Sequence, residues 1–203
     1  EHVVSEKKDL SARDDVPDSF GTMTKDDKRA FILLVVLYAL QGIPVGLTFG
    51  TMPFLLKSHV GYGGLGFFML STYPYSIKLL WSPIVDSYFV SSWRIPCTKW
   101  ELYLGRRKRW IVPVQIIVGL TFIALAKNID AFMERADTLI SLITSVFFAL
   151  ISLAATQDIA VDGWALTLLS KNSLGYASTA QTIGVNLGYF MSFTVFLALN
   201  SVE

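Results

Sequence analysis

The sequence predicts an all-α, polytopic membrane protein: a bundle of about five transmembrane helices behind a polar N-terminal tail. Three observations carry this. Of the 203 residues, 53% are hydrophobic and the mean hydropathy is +0.51, which sets the chain apart from an ordinary soluble domain. The charges are segregated: eight acids and six bases fall in residues 1–29, whereas from residue 30 to residue 85 only Lys57 and Lys78 are charged. Apolar runs of about twenty residues, the length that crosses a bilayer core, then recur along the chain.

Residues 1–29 lack apolar periodicity and read as a disordered tail. At its end, Thr24 precedes Lys25-Asp26-Asp27 and is a candidate N-cap. Residues 30–50 form the first expected span. It is too long for the apolar core of a cleaved signal, and no small-residue cleavage pattern follows it. Within it, Gln41-Gly-Ile-Pro44-Val-Gly46 places an amide, a proline and two glycines at mid-span. Pro44 frees a backbone carbonyl and is expected to kink the helix, which a membrane tolerates where neighbours or a cavity satisfy that group. Gln41 is either part of that packing kink or a substrate or gating contact.

A Gly-rich loop, residues 57–66, leads to a second span over 67–85. Lys78, Ser82 and Asp86 follow at four-residue spacing and would share one helix face. Lys78 is the one cation inside any expected span. It either snorkels to the headgroups and pairs locally or binds an anionic substrate. Residues 86–109 form a basic loop with Arg94, Lys99, Arg106, Arg107, Lys108 and Arg109 against two acids. By the positive-inside bias that loop, and with it the N-terminus, is cytoplasmic. Trp81, Trp93, Trp100 and Trp110 suit an interfacial belt.

The third span covers 110–126 and carries Pro113 and Gln115, the latter a further candidate substrate contact. Residues 127–137 read as a short loop on the opposite side. The fourth span, 139–159, returns to the cytoplasm. After a turn at Lys171-Asn172-Ser173, the fifth span occupies 176–199, where Gly184, Gly188 and Ser192 form a small-residue stripe for close helix packing.

Composition also excludes classes. A single cysteine, Cys97, rules out an internal disulfide framework and a multi-cysteine metal site. His2 and His59 lie far apart, so no histidine metal centre and no cofactor is expected. The basic cluster abuts apolar runs and offers no nucleic-acid face. A membrane acetyltransferase would want a His or Cys at a span, and His59 and Cys97 fall in loops; an enzyme is not expected. A non-transporting scaffold is disfavoured by Lys78, Gln41 and the Gly/Pro-broken first span.

The chain is organised around residues 154–169, AATQDIAVDGWALTLL. Asp158 and Asp162 sit one helical turn apart at the end of an almost uncharged run, where an unpaired charge is costly. The expected counter-charge is Gly105-Arg106-Arg107-Lys108. Asp86, Arg106, Arg107, Lys108, Asp158 and Asp162 would then form a cytoplasmic gating network. Breaking one partner of such a partly dehydrated network costs about 3–5 kcal/mol, enough to hold helical bundles in one of two arrangements.

Asp86 followed by Gly-Arg-Arg resembles the loop motif between spans two and three of the major facilitator superfamily. Ser82 replaces its usual glycine, and the 18 intervening residues exceed the usual length. More specifically, QGIPVGL, KLLWSPIVD, GRRKRW and ATQDIAVDGWALTLL followed by GYAST resemble the acetyl-coenzyme A transporter family over residues 38–199. Bacterial muropeptide permeases share a weaker version. The resemblance implies an N-terminal fragment of a major-facilitator-type bundle, completed by a missing C-terminal half. The whole would carry acetyl-CoA from cytosol to endoplasmic reticulum lumen by alternating access. A permease for a muropeptide- or sugar-conjugate-like solute on the same fold is the nearest alternative.

Overall fold

The computed structural model describes residues 23–87 and 108–200, which are helical without strands among the described residues. Of the disordered tail expected over 1–29, residues 1–22 lie outside the described residues, as does most of the basic loop, including Arg106 and Arg107, whereas Lys25–Arg29 are helical.

Helix α1 (Lys25–Gly46) starts where Thr24 accepts a hydrogen bond from the Asp27 amide at 3.2 Å, and Asp26 and Asp27 sit in its first turn. Both features favour a helix N-terminus. Pro44 cannot donate to the ladder. Just beyond it the helix widens into a π turn over Leu47–Thr51, and the Thr48 hydroxyl donates to the Pro44 carbonyl at 2.8 Å. The chain resumes as α2 (Met52–Leu56). The kink expected at Pro44 is thus a π bulge that leaves the helix continuous enough to span, 32 residues from Lys25 to Leu56.

The expected loop over 57–66 already turns helical at Tyr62, and the span expected as one helix over 67–85 is a series of short pieces. These are α3 (Tyr62–Phe68), a 3-10 turn at Met69–Thr72, α4 (Tyr73–Ser76), a second 3-10 turn at Lys78–Leu80, and α5 (Ser82–Ser87). Pro74 opens α4 and Pro83 falls in the first turn of α5, each removing a ladder donor. Between them Ile77, at φ −101° and ψ 12°, leaves the helical region. Lys78 sits beside that break.

Helix α6 (Lys108–Glu134) runs 27 residues, continuing through the stretch expected to form a loop. Between Gly119 and Glu134 there is no further Gly or Pro, and Asn128 bonds back to the Ala124 carbonyl at 2.8 Å. The break comes at Arg135 (φ −114°, ψ 24°). Helix α7 (Ala136–Leu168, 33 residues) ends at the extended Leu169, so Asp158 and Asp162 stand inside it rather than at its end. A 3-10 turn at Lys171–Ser173 leads to α8 (Tyr176–Asn200). Among the described residues, three helical segments are long and apolar enough to cross a membrane: Lys25–Leu56, Trp110–Glu134 and Ala136–Leu168.

α1 and α8 touch through glycine. A Cβ on Gly42 would lie 2.5 Å from the Val185 carbonyl oxygen, one on Gly184 2.5 Å from Tyr38 Cβ, and one on Gly188 would collide with the Ala39 carbonyl. The small-residue stripe therefore brings two backbones into contact, the arrangement that maximises dispersion where the lipid is as apolar as the protein. A clamp fixes the start of α1: Asp27, buried, accepts from the Ser170 amide (2.9 Å), the Ser170 hydroxyl (2.7 Å) and the Ser173 hydroxyl (3.0 Å).

Two apolar clusters flank the middle of the bundle. One gathers Leu34, Tyr38, Val85, Ile159 and Ala180. The other gathers Leu56, Phe68, Ile143, Phe147 and Leu150, with Phe68 edge-on to Phe147 at 5.5 Å. Along α1 and α7, Gln41 and Asp158 fall between them.

Candidate functional site

Asp158 is fully buried, a placement a carboxylate tolerates only when paired and hydrogen-bonded. Both conditions are met. Lys78, beside the Ile77 break, forms an ion pair with its Oδ2, and the Gln41 amide of α1 donates to its Oδ1. Gln181 of α8 approaches the same Oδ1 at 3.4 Å. Asp162, one turn along α7, accepts from the Tyr38 hydroxyl at 2.6 Å and from Gln181 Nε2 at 3.0 Å. Gln181 thus bridges the two carboxylates. Lys78 also lies over the Tyr75 ring, 5.0 Å from its centroid, a favourable cation–π placement.

The two acids do not share a cation. Among the described residues no cation lies within ion-pair distance of Asp162, so Lys78 balances one carboxylate of two. Lys78 keeps 26% of its side chain exposed, while Asp158 has none exposed. The lysine faces a cleft of about 480 Å³ bordered by Tyr38, Lys78, Ser82, Asp86, Asp162 and Gln181, with Asp158 behind this wall. Asp86 accepts from Ser82 at 3.4 Å.

Gln115 does not join this cluster. It donates to the Gln157 carbonyl oxygen at 2.9 Å. Gln41 Oε1 and Gln157 Nε2 are buried without a hydrogen-bond partner among the described residues, a cost that marks them as groups able to meet a polar ligand.

The structure therefore joins Lys78 and Gln41, expected to contact substrate, to Asp158 and Asp162, expected to gate. Of the expected cationic partners, Arg106 and Arg107 are outside the described residues, and Lys108 opens α6 with its side chain undescribed. Sequence reasoning missed Tyr38, Gln181 and the Asp27 clamp. A signal existed for two of them: Gln181 stands three residues before Gly184 on the small-residue stripe, and Tyr38 three before Gln41, so both share faces already assigned to the interior.

Long apolar helices around a buried, hydrogen-bonded ion pair define a multi-pass membrane protein. Comparison with known proteins gives the family: residues 30–203 match the model for acetyl-coenzyme A transporter 1, and the chain belongs to that family. It is 52% identical to an uncharacterized membrane protein of Saccharomyces cerevisiae, over 90% of this chain and 34% of the relative. An uncharacterized protein of Schizosaccharomyces pombe is 42% identical, over 89% and 33%. The anhydromuropeptide permease of Escherichia coli is 27% identical, over 81% and 30%. The chain thus spans about a third of the length of these relatives. No solved structure matches it.

Proposed function

We propose that this chain forms one part of a carrier that moves acetyl-CoA from the cytosol into the lumen of the endoplasmic reticulum by alternating access. In this reading the N-terminus is cytoplasmic and a further helical bundle of the same polypeptide completes the cavity. The family match supports the cargo. The observation that carries the carrier reading is the Lys78–Asp158 pair: a cation from a broken segment held by a buried carboxylate of a 33-residue helix, at the wall of a cleft. Intramembrane charges of this kind mark substrate and ion pathways. Lys78, with Gln41, supplies the cargo contact; Asp158, Asp162 and Asp86, with Arg106, Arg107 and Lys108 of the basic loop, supply the gate. Gln115 lines the path through its pairing with Gln157.

The test is uptake of labelled acetyl-CoA into proteoliposomes holding the full-length polypeptide, with Lys78→Ala alongside. Saturable uptake that free CoA competes for, and that K78A lowers at least tenfold, supports the assignment. The similarity to the Escherichia coli permease favours a second reading, in which the cargo is an anhydromuropeptide-like solute. Uptake of such a solute in place of acetyl-CoA would select it.

A further inference from the structure

We infer that Lys78 and Gln181 form a subsite for an uncharged secondary amide of the cargo: the ammonium donates to the amide carbonyl, and the Gln181 carbonyl accepts from the amide N–H. This rests on the carrier reading above and names the part of the cargo that the cleft takes. The orientation of Gln181 follows from its neighbours. Its Nε2 lies 3.0 Å from Asp162 Oδ1 and 3.4 Å from Asp158 Oδ1. A carboxylate accepts where an amide nitrogen donates, so the nitrogen must be the atom that faces the two acids. Asp162 is itself held by the Tyr38 hydroxyl at 2.6 Å, which fixes the acceptor that Gln181 addresses. Oε1 is then the polar atom left for the cleft that Gln181 borders.

Lys78 supplies the other half. It meets Oδ2 of the same Asp158 carboxylate whose Oδ1 Gln181 approaches, so a donor and an acceptor stand side by side on one wall. An ammonium carries more donors than the one Asp158 takes, and Lys78 keeps 26% of its side chain exposed. Because Asp158 already balances its charge, a neutral carbonyl can accept from Lys78 without disturbing the ion pair. A phosphate would compete with a fully buried carboxylate for the lysine and would meet the negative charge of Asp162 on the same wall. Leu79, Ile159, Leu166 and Ala177 border the rest of the cleft and offer apolar surface to the methylenes that link amides. Its volume of about 480 Å³ suits such a chain segment. The pantetheine arm of acetyl-CoA is built of secondary amides joined by methylenes, and the peptide of an anhydromuropeptide carries the same group. The phosphates of acetyl-CoA then lie outside this cleft.

The experiment measures binding of labelled acetyl-CoA to the full-length polypeptide in detergent. Its competitors are pantetheine, which has the amides and no phosphate, and adenosine bisphosphate, which has phosphates and no amide. Expected is displacement by pantetheine that Gln181→Leu weakens about tenfold, the loss of one hydrogen bond in a part-buried site, with displacement by adenosine bisphosphate little changed. Gln181→Lys separates the two tasks of the side chain. It can still donate to Asp162 and has no acceptor to offer, so pantetheine should lose as much there. Competition on the unsubstituted protein stands by itself if a variant fails to fold. Three results overturn the inference and leave the carrier reading in place: pantetheine that does not compete, Q181L weakening both competitors alike, or Q181K binding pantetheine as the parent does. Should an anhydromuropeptide bind in place of acetyl-CoA, it becomes the tracer, and both variants must weaken it by the same factor; unaltered affinity in Q181K overturns the inference. Binding of neither cargo by the folded protein overturns both readings.

Discussion

The hydroxyl of Tyr38 donates to Oδ1 of Asp162 over 2.6 Å, joining the first long helix to a carboxylate 124 residues later. Together with Gln41 on Asp158, it zips α1 to α7 through polar contacts two side chains deep. In Tyr38→Phe the ring keeps its packing against the buried cluster around Leu34 and Ala180, and only the donor is lost. Among the described residues, Asp162 then retains Gln181 as its hydrogen-bond donor. A hydrogen bond to a charged, part-buried acceptor contributes about 1.5–3 kcal/mol. We expect Y38F to lower the thermal unfolding midpoint of the full-length protein in detergent by several degrees. An unchanged midpoint would show that Asp162 is satisfied without it.

The glycine contacts give a prediction with an internal control. Gly188 has the Ala39 carbonyl where a Cβ would go, whereas Gly119 on α6 has nothing within 4 Å. Gly188→Ala must push α1 and α8 apart along their shared face. Gly119→Ala adds a methyl to open space and removes a flexible residue from a helix, a change worth about 0.5–1 kcal/mol in favour of the fold. Expression and thermal stability should fall sharply for G188A and hold or improve for G119A. Equal behaviour of the two would mean that the close approach of the helices is not needed for folding.

How much of this was legible in the sequence follows from which forces act locally. The cap at Thr24 and the stripe of Gly184 and Gly188 are each set by nearby residues, and the structure shows both as read; beyond Pro44, where a kink was expected, it shows a π turn. Helix continuity was harder. Residues 127–134 look loop-like by charge, yet nothing in them breaks a ladder and the helix runs on to Glu134. Residues 67–85 look span-like by hydropathy, yet Pro74 and Pro83 remove two ladder donors and split them. Partner choice was hardest. The sequence pairs Asp158 with the basic cluster of Arg106 and Arg107 by charge alone, since separation along the chain says nothing of distance in the fold. The packing of the broken segment on α7 sets Lys78 against it, and Arg106 and Arg107 lie outside the described residues. Asp27 was read as a helix-start residue. That role stands, but its carboxylate is also an acceptor for Ser170 and Ser173, which no local pattern could announce.

That clamp is testable separately from the cleft. Asp27→Ala removes the acceptor of three hydrogen bonds and leaves the buried Ser173 hydroxyl without it. Leaving buried donors unsatisfied costs about 1–3 kcal/mol. The turn at 170–175 should loosen first, since these bonds hold it to α1. Faster amide hydrogen exchange at Ser170 and Ser173, with exchange in the middle of α7 unaltered, is the expected pattern. Uniform acceleration along α7 would instead place Asp27 among the residues on which the whole bundle depends.

The ion pair yields the sharpest stability test, because its two members are unequal. Asp158 has no exposed surface and Lys78 has 26% of its side chain exposed. Lys78→Met keeps much of the length of the stem and removes the charge, stranding a carboxylate left with uncharged partners, among them the amides of Gln41 and Gln181. Removing one member of a buried pair typically costs about 3–5 kcal/mol, whereas replacing both by uncharged groups of similar size is often close to neutral. The single variant K78M should therefore unfold at a markedly lower temperature than the parent, and adding Asp158→Asn should restore most of the difference. The reverse single, D158N, should cost less, since the stranded lysine already borders the cleft and can turn toward water. If K78M and D158N destabilise equally and the double variant sums them, the two residues act independently. The pair would then be a geometric coincidence rather than the tie between the broken segment and α7.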